Sequence, residues 1–394
     1  MKNKSVLCLM ACLGYCGISW SQDVLKGTKY TVETGAFVST APTNPFWIRS
    51  NQYGEVPLEG QVFTIRGSAC KDYDSSARKK KVVFGYGVRG VANFSKNNQL
   101  LFSEFYGKAR YGAFELYAGR RKELMGLADS TIGSGSFIWS GNALPLPKLQ
   151  LALVNYTPLL KNGLIAVKGN YAHGWFGSGD STKNFFLHQK SLYIRVGKPA
   201  WRFKVYGGIN HQVQWGGRPS VPFLQGRNKA LVTHYGSGLQ AYIHVVTGIS
   251  LNQGYYTDDG GISGEGGNRL GNHLGTADIA LEYETASTKW FLYRQSIYED
   301  GSLFVLSNIS DGLLGLAIDF KKGQKGVKKI VLEFLDTSSQ GGELKASNRT
   351  AFIPEFRGGD DYFNNSTYEE GWKYRTLIAD NLQEAKEDQG LRIA

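Results

Sequence analysis

An all-β fold, an antiparallel transmembrane β-barrel of the outer membrane, is the class this sequence predicts, and three observations predict it. The first is alternation: in Trp201–Gly217, residues Trp201, Phe203, Val205, Gly207 and Ile209 share one parity, while Arg202, Lys204, Tyr206, Gly208 and Asn210 share the other. Successive strand side chains point to opposite faces, so such a strand is apolar on one side and polar on the other. The second is an export signal at the N-terminus. The third is composition, with 50 Gly and 13% aromatic residues, which suits a barrel with interfacial aromatic girdles.

The export signal reads plainly. Lys2 and Lys4 precede an apolar run from Val6 to Ile18, and Ser19 and Ser21 supply the small residues before a cut at Gln22. The run is too short to span a bilayer as a helix. Leu9-Met10-Ala11-Cys12 is the less favoured lipidation-box reading of the same region. Cys8, Cys12 and Cys16 all leave with the signal, so Cys70 stands alone and no intramolecular disulfide can form. Losing Lys2 and Lys4 takes the formal charge from +12 to +10. In an exported protein that basic balance fits anionic glycans or lipopolysaccharide better than nucleic acid.

The elements follow in order. Tyr30–Ser39 and Val82–Asn93 alternate, and Leu101–Lys122 reads as a hairpin about Gly112. Leu149–Thr157, Gly163–Trp175, Ser191–Lys198, Trp201–Gln214, Gly238–Gln253, Ala277–Thr285, Thr288–Tyr298, Leu313–Lys321 and Val327–Thr337 complete the set of expected strands. Each approaches the roughly 9–11 residues a tilted strand needs to cross a bilayer. Lys321–Gly326 has the polar character of a short turn, and Gln253–Gly275 the glycine and charge content of an outer loop. Asp258-Asp259 within it is explained by turn chemistry ahead of a metal role. The division expected is a signal over 1–21, a barrel over 22–376 and a polar tail over 377–394, from Leu377 onward without alternation.

Motifs recur along the chain in a fixed order. They are Asn44-Pro45-Phe46-Trp47 through Gly54 with Val56-Pro57; Gly119-Arg120-Arg121 with Asn142-Ala143-Leu144-Pro145; and His211-Gln212 with Gln214-Trp215-Gly216-Gly217. Then come Tyr293-Arg294-Gln295 with Glu299-Asp300, Asp311–Leu316, Glu333–Thr337, and Asp360–Asn365 with Gly371-Trp372. The ordered set resembles the Wzi-type capsule-assembly outer-membrane proteins in their Bacteroidetes-like form, over roughly Thr31 to Tyr374. The resemblance implies a plugged barrel of about eighteen strands that acts as a surface lectin and not as an enzyme. Members of that family continue past the Gly-Trp-x-Tyr element, so the chain resembles a member truncated at its C-terminus, and the expected barrel has about 14–18 strands.

Residue chemistry agrees with glycan binding. Trp215 offers an aromatic face beside His211 and Gln212, and arginine forks suit uronic acid carboxylates. Arg120 and Arg121 are candidates for contact with anionic capsular or exopolysaccharide, as are Arg294, Glu299 and Asp300, unless these last three pair with one another against a plug. The other expected partners are outer-membrane lipid, lipopolysaccharide and the barrel-assembly machinery, with no nucleic acid. No HExxH or G-x-S-x-G element occurs, and no catalytic residue, cofactor or metal is expected. A porin-like diffusion channel is the alternative function, and an outer-membrane hydrolase the third.

Overall fold

Alternating polarity becomes a single antiparallel meander. The structure, a computed structural model, describes residues 25–368 except 74–80, 140, 178–181, 226–229, 250–258, 260, 262–268, 322–325, 347, 349, 351–355, 361, 363–364 and 366. The first strands are β1 (Lys29–Thr43), β2 (Glu59–Lys71), β3 (Val83–Phe94), β4 (Gln99–Tyr111), β5 (Phe114–Arg120), β6 (Pro147–Pro158) and β7 (Ile165–Trp175). After the two-residue β8 (Thr182–Lys183) come β9 (Phe186–Val196) and β10 (Phe203–Trp215). Three short pieces, β11 (Arg218–Pro219), β12 (Phe223–Gln225) and β13 (Ala230–Val232), precede β14 (Asn272–Glu284), β15 (Thr288–Glu299), β16 (Gly312–Phe320) and β17 (Lys329–Asp336). The short β18 (Lys345–Ala346) and β19 (Phe356–Arg357) end the series.

Thirteen of these strands form one sheet, each hydrogen-bonded to its neighbour along the wall from β1 to β17. All pairings are antiparallel, with β-bulges in the β1–β2, β3–β4 and β6–β7 ladders. Among the described residues β1 and β17 do not pair, and the wall holds 13 strands beside the expected 14–18. At one end the connections are mostly short, such as Gly112-Ala113 and 285–287; at the other they are mostly long, at 44–58, 121–146 and 216–271. Short turns on one side and long loops on the other are the habit of membrane barrels.

The two faces of the wall differ as a membrane requires. On β10 the outward Phe203 and Ile209 are 50% and 47% exposed, while the inward Lys204, Tyr206, Asn210 and Gln212 are buried. The pattern repeats on β5, where Phe114 and Leu116 face out and Glu115 and Tyr117 face in. So continuous an apolar outer surface has no place in water, and lipid is its natural solvent. No helix among the described residues is long and apolar enough to cross a membrane. The sheet curls round its contents: the segment leaving β5 reaches β14, β15 and β17 on the opposite wall, through Leu127, Phe137 and Ser134. The result is a transmembrane β-barrel wall wrapped on a plug.

Inside, tyrosines stack over glycines on the neighbouring strand. Tyr106 lies opposite Gly87, Tyr193 opposite Gly208 and Tyr293 opposite Gly315. A methyl group on any of these glycines would land within the ring. Bulky inward rings therefore fit only because the facing residue has no side chain.

Two expectations change. Gly238–Gln253, expected as a strand, is instead the helix α1 (Leu239–Thr247); 250–253 lie outside the described residues. Ala241 and Val245, four apart, are buried against Val213, Trp215 and Leu270 on the outer wall. The Asp259 carboxylate accepts the Ser237 and Gly238 amides at 2.8 Å before the first turn, and Gly248 (φ 69°) closes the last. That docking outweighs the strand preference of Val245 and Val246. β9 also begins earlier than Ser191, because Phe186, His188 and Lys190 form an outward row that α1 covers, so polar residues stand where lipid-facing ones were looked for. β2 was not anticipated: Val62 and Phe63 are adjacent apolar residues on opposite faces, which blurs the alternation. Residues 1–24 and 369–394, and with them the expected signal and tail, lie outside the described residues.

Candidate functional site

The interior is organised by buried carboxylates on the inward segments. Glu55, 1% exposed, accepts hydrogen bonds from Arg89 Nε at 2.9 Å and Ser103 Oγ at 2.6 Å. It also bonds Lys122 and stands 3.6 Å from Arg66 Nε. Burial pushes the Glu55 carboxyl up, but the hydrogen bonds from Arg89, Lys122 and Ser103 outweigh it and hold it down at about 2. Glu123 is the second hub, taking Arg121, Lys148 and Tyr117 at 2.7 Å each and Gln150 at 3.0 Å. Burial raises it, and the charges of Lys148 and Arg121 more than reverse this, again to about 2. Asp129 folds its own turn by accepting the amides of Thr131, Ile132 and Gly133, and pairs with Lys329 on β17.

Further contacts bolt the plug to the far wall. Leu127 N donates to Asp278 Oδ2 at 2.8 Å, Phe137 N to Gln295 Oε1 at 3.0 Å, and Ser134 N to Glu333 Oε2 at 2.6 Å. The two plug segments join each other where Asn51 N meets Asn142 Oδ1 at 2.8 Å and Asn51 Nδ2 meets Gly133 O at 3.0 Å. A third segment, after β17, crosses the long-loop mouth. Asp311 accepts Ser339 N, Gln340 N and the Tyr362 hydroxyl, and Tyr368 donates to Gly216 O at 3.1 Å.

Below the plug, toward the short turns, a cavity of about 720 Å³ remains. Lys81, Lys108, Arg110, Arg121, Lys122 and Lys168 line it, against Asp72, Glu115 and Glu123. Lys108 pairs with Asp72 at 2.8 Å and lies over the Tyr73 ring. The Tyr73 hydroxyl donates to Glu115 at 2.7 Å, and Arg121 reaches Glu115 at 2.6 Å.

Strand parity splits each group of candidate residues drawn from the sequence. Arg121 points inward to Glu115 and Glu123, whereas Arg120 lies on the outward parity and donates to Phe102 O at 3.2 Å. His211 and Trp215 face outward beneath α1, and Gln212 faces inward, fully buried, its amide without a partner among the described residues. Trp215 packs among Phe186, Tyr242 and His173. His211 Nε2 lies 3.0 Å from His273 Nδ1, and His273 Nε2 faces Leu270 O at 2.9 Å. A carbonyl can only accept, so His273 carries its proton on Nε2 and receives that of His211.

Arg294, Glu299 and Asp300 do not pair with one another. Arg294 points outward and donates to the Ile309, Ser310 and Asp311 carbonyls at 2.9–3.0 Å. Asp300 stands 3.9 Å from Arg269, and the Glu299 backbone is pinned by Ser302. Among the described residues no group of three His, Cys, Asp or Glu is placed to hold a metal ion. The cavity residues Lys168, Tyr73 and Tyr156 carried no signal in the sequence, since inward lysines and tyrosines such as Lys148, Tyr117, Lys204 and Tyr206 recur on several other wall strands.

Fold and interior together define a class: a transmembrane β-barrel whose long-loop mouth is filled by its own chain. No protein-family model matches the chain, and no curated protein does either. Among solved structures it is similar to the crystal structure of Pseudomonas aeruginosa OccK2 (OpdF) in complex with glucuronate, at 11% identity over 74% of each chain. The TM-score is 0.25, an overlap too loose to carry an argument about fold or function.

Proposed function

We propose that this chain is a non-enzymatic outer-membrane barrel that binds an anionic capsular or exopolysaccharide and helps hold it on the cell. The bolted plug carries this reading. Glu55 and Glu123 tie the inward segments to the wall, and Asp311 ties the segment that crosses the mouth. An interior closed in this way suits a fixed binding protein and opposes free diffusion. The motif order supports it as well: Asn51, Asn142, Asp311, Glu333 and Tyr362, which belong to the resemblance with capsule-assembly barrels, are the residues that knit the plug. Lipopolysaccharide and the barrel-assembly machinery are the partners such a chain meets. Deleting the gene is expected to move polysaccharide from the cell-attached to the shed fraction. Unchanged retention sinks the proposal.

A porin-like channel is the second reading, and the basic cavity under the plug favours it. Conductance of the purified protein separates the two. The lectin reading expects almost none, while steady open-channel current would establish the porin.

A further inference from the structure

We infer that the cavity at the short-turn mouth is a binding site for a hydroxylated carboxylate of monosaccharide size, with the Lys168 ammonium as its charge partner. The other lining cations are engaged or lie in solvent: Lys108 pairs with Asp72, Arg121 with Glu115 and Glu123, Lys122 with Glu55, Arg110 donates to the Gly112 carbonyl, and Lys81 is exposed. Lys168 has no carboxylate within ion-pair distance among the described residues, and Glu123 is already shared by Arg121 and Lys148. An enclosed ammonium without a counterion is costly, and an anionic ligand removes that cost.

The surroundings specify more than charge. Lys168 pairs across the ladder with Tyr193 and faces the β6 bulge between Leu153 and Thr157, where Tyr156 stands. The Tyr156 hydroxyl is buried and has no hydrogen-bond partner among the described residues; a small turn of its ring toward the cavity would offer it to a ligand hydroxyl. Asn155 and Asn170 add amides to the lining, and the rings of Tyr156 and Tyr193 add flat apolar faces. Aromatic faces, neutral hydrogen-bonding groups and one cation together recognise a sugar acid. Lys168 is the one half-buried lysine of the lining without a carboxylate among the described residues, and one ammonium matches a single carboxylate better than a dianionic phosphate. About 720 Å³ admits one or two sugar rings. The site lies away from the long loops, so this inference stands whichever proposed function holds.

The test uses the full chain in detergent and isothermal titration with D-glucuronate and D-glucose, which differ only at C6. Glucuronate is expected to bind, and glucose to bind at least about tenfold more weakly, the scale of one charge-assisted hydrogen bond. Lys168→Gln is expected to lose about that factor for glucuronate alone, and Lys168→Arg to retain binding. Tyr156→Phe weakens both sugars by a smaller factor. The melting temperature of Lys168→Gln should not fall, because no ion pair is broken. Equal binding of the two sugars, no glucuronate binding at millimolar concentration, or undiminished binding by Lys168→Gln overturns the inference. Polysaccharide retention is read separately on cells, so either idea can fail alone.

Discussion

Replacing Glu55 by Gln removes the negative centre of the plug while keeping its size. In the wild type that carboxylate holds Arg89 at 2.9 Å and Ser103 at 2.6 Å, bonds Lys122 and faces Arg66 at 3.6 Å. Breaking a buried ion pair costs about 3–5 kcal/mol because the partner charges stay behind. Two facts favour the lower bound: Arg89 keeps Glu33 at 3.1 Å, and the side chains of Arg66 and Arg89 retain 14% and 15% exposure. A loss of about 3 kcal/mol raises the released population of the plug roughly 100-fold. The assay is the open fraction in single-channel recordings, with protease sensitivity of 44–58 and 121–146 as a second readout. Unfolded barrels are screened out by heat-modifiable migration on gels. An intact barrel with wild-type open fraction and wild-type protease resistance would refute the role of Glu55 in tying the plug to the wall.

Acid should loosen the same plug from a known direction. The Glu55 and Glu123 carboxyls stand near 2 in the folded chain against 4.5 ordinarily. Depressed folded values make their stabilisation complete above about pH 4.5 and lost as pH falls toward 2. Open fraction should therefore be flat from neutral pH to about 5 and climb below, and a Glu55→Gln/Glu123→Gln variant should show a smaller climb, since Asp129 still pairs with Lys329. Gly315→Ala forces Tyr293 away from Glu333, which it contacts at 2.5 Å. A loss of about 1–3 kcal/mol is expected from overpacking, read by thermal melting against Gly67→Ala, whose new methyl meets open space. Ala241→Glu places a charge in the closed seam between α1 and the wall. Trp215, now 4% exposed, should shift its emission to the red, judged against a Trp215→Phe reference, and an unmoved spectrum would show that α1 stays docked.

Apart from β2, where inward Val62 beside outward Phe63 blurs the pattern, wall strands were legible where their outer face is apolar and exposed. Phe203, Val205 and Ile209 on β10, or Ile279, Leu281 and Tyr283 on β14, keep apolar alternation because their faces are turned to the lipid side of the wall. Legibility fails where another part of the chain replaces lipid. Under α1 the outward residues become His188, Lys190, His211 and His273, and the parity signal inverts. α1 itself reads as a strand from its valines, and only its docking partners and the Asp259 cap make it a helix. Local sequence contains neither of these.

The candidate site was less legible for a geometric reason. Residues adjacent in a strand stand on opposite faces, so His211-Gln212, Arg120-Arg121 and Arg294-Gln295 each divide between the outside and the inside of the wall. Proximity along the chain therefore argues against a shared site within a barrel strand. What converges in the lumen comes from residues of one parity on several strands: Glu115 from β5, Gln150 from β6, Lys168 from β7 and Tyr193 from β9, with Tyr73 and Glu123 added from the connections. A binding site read from such a sequence has to be assembled by parity across the ladder. On that rule, Arg121 belongs with the interior and Arg120 with the outer surface, whatever ligand each meets.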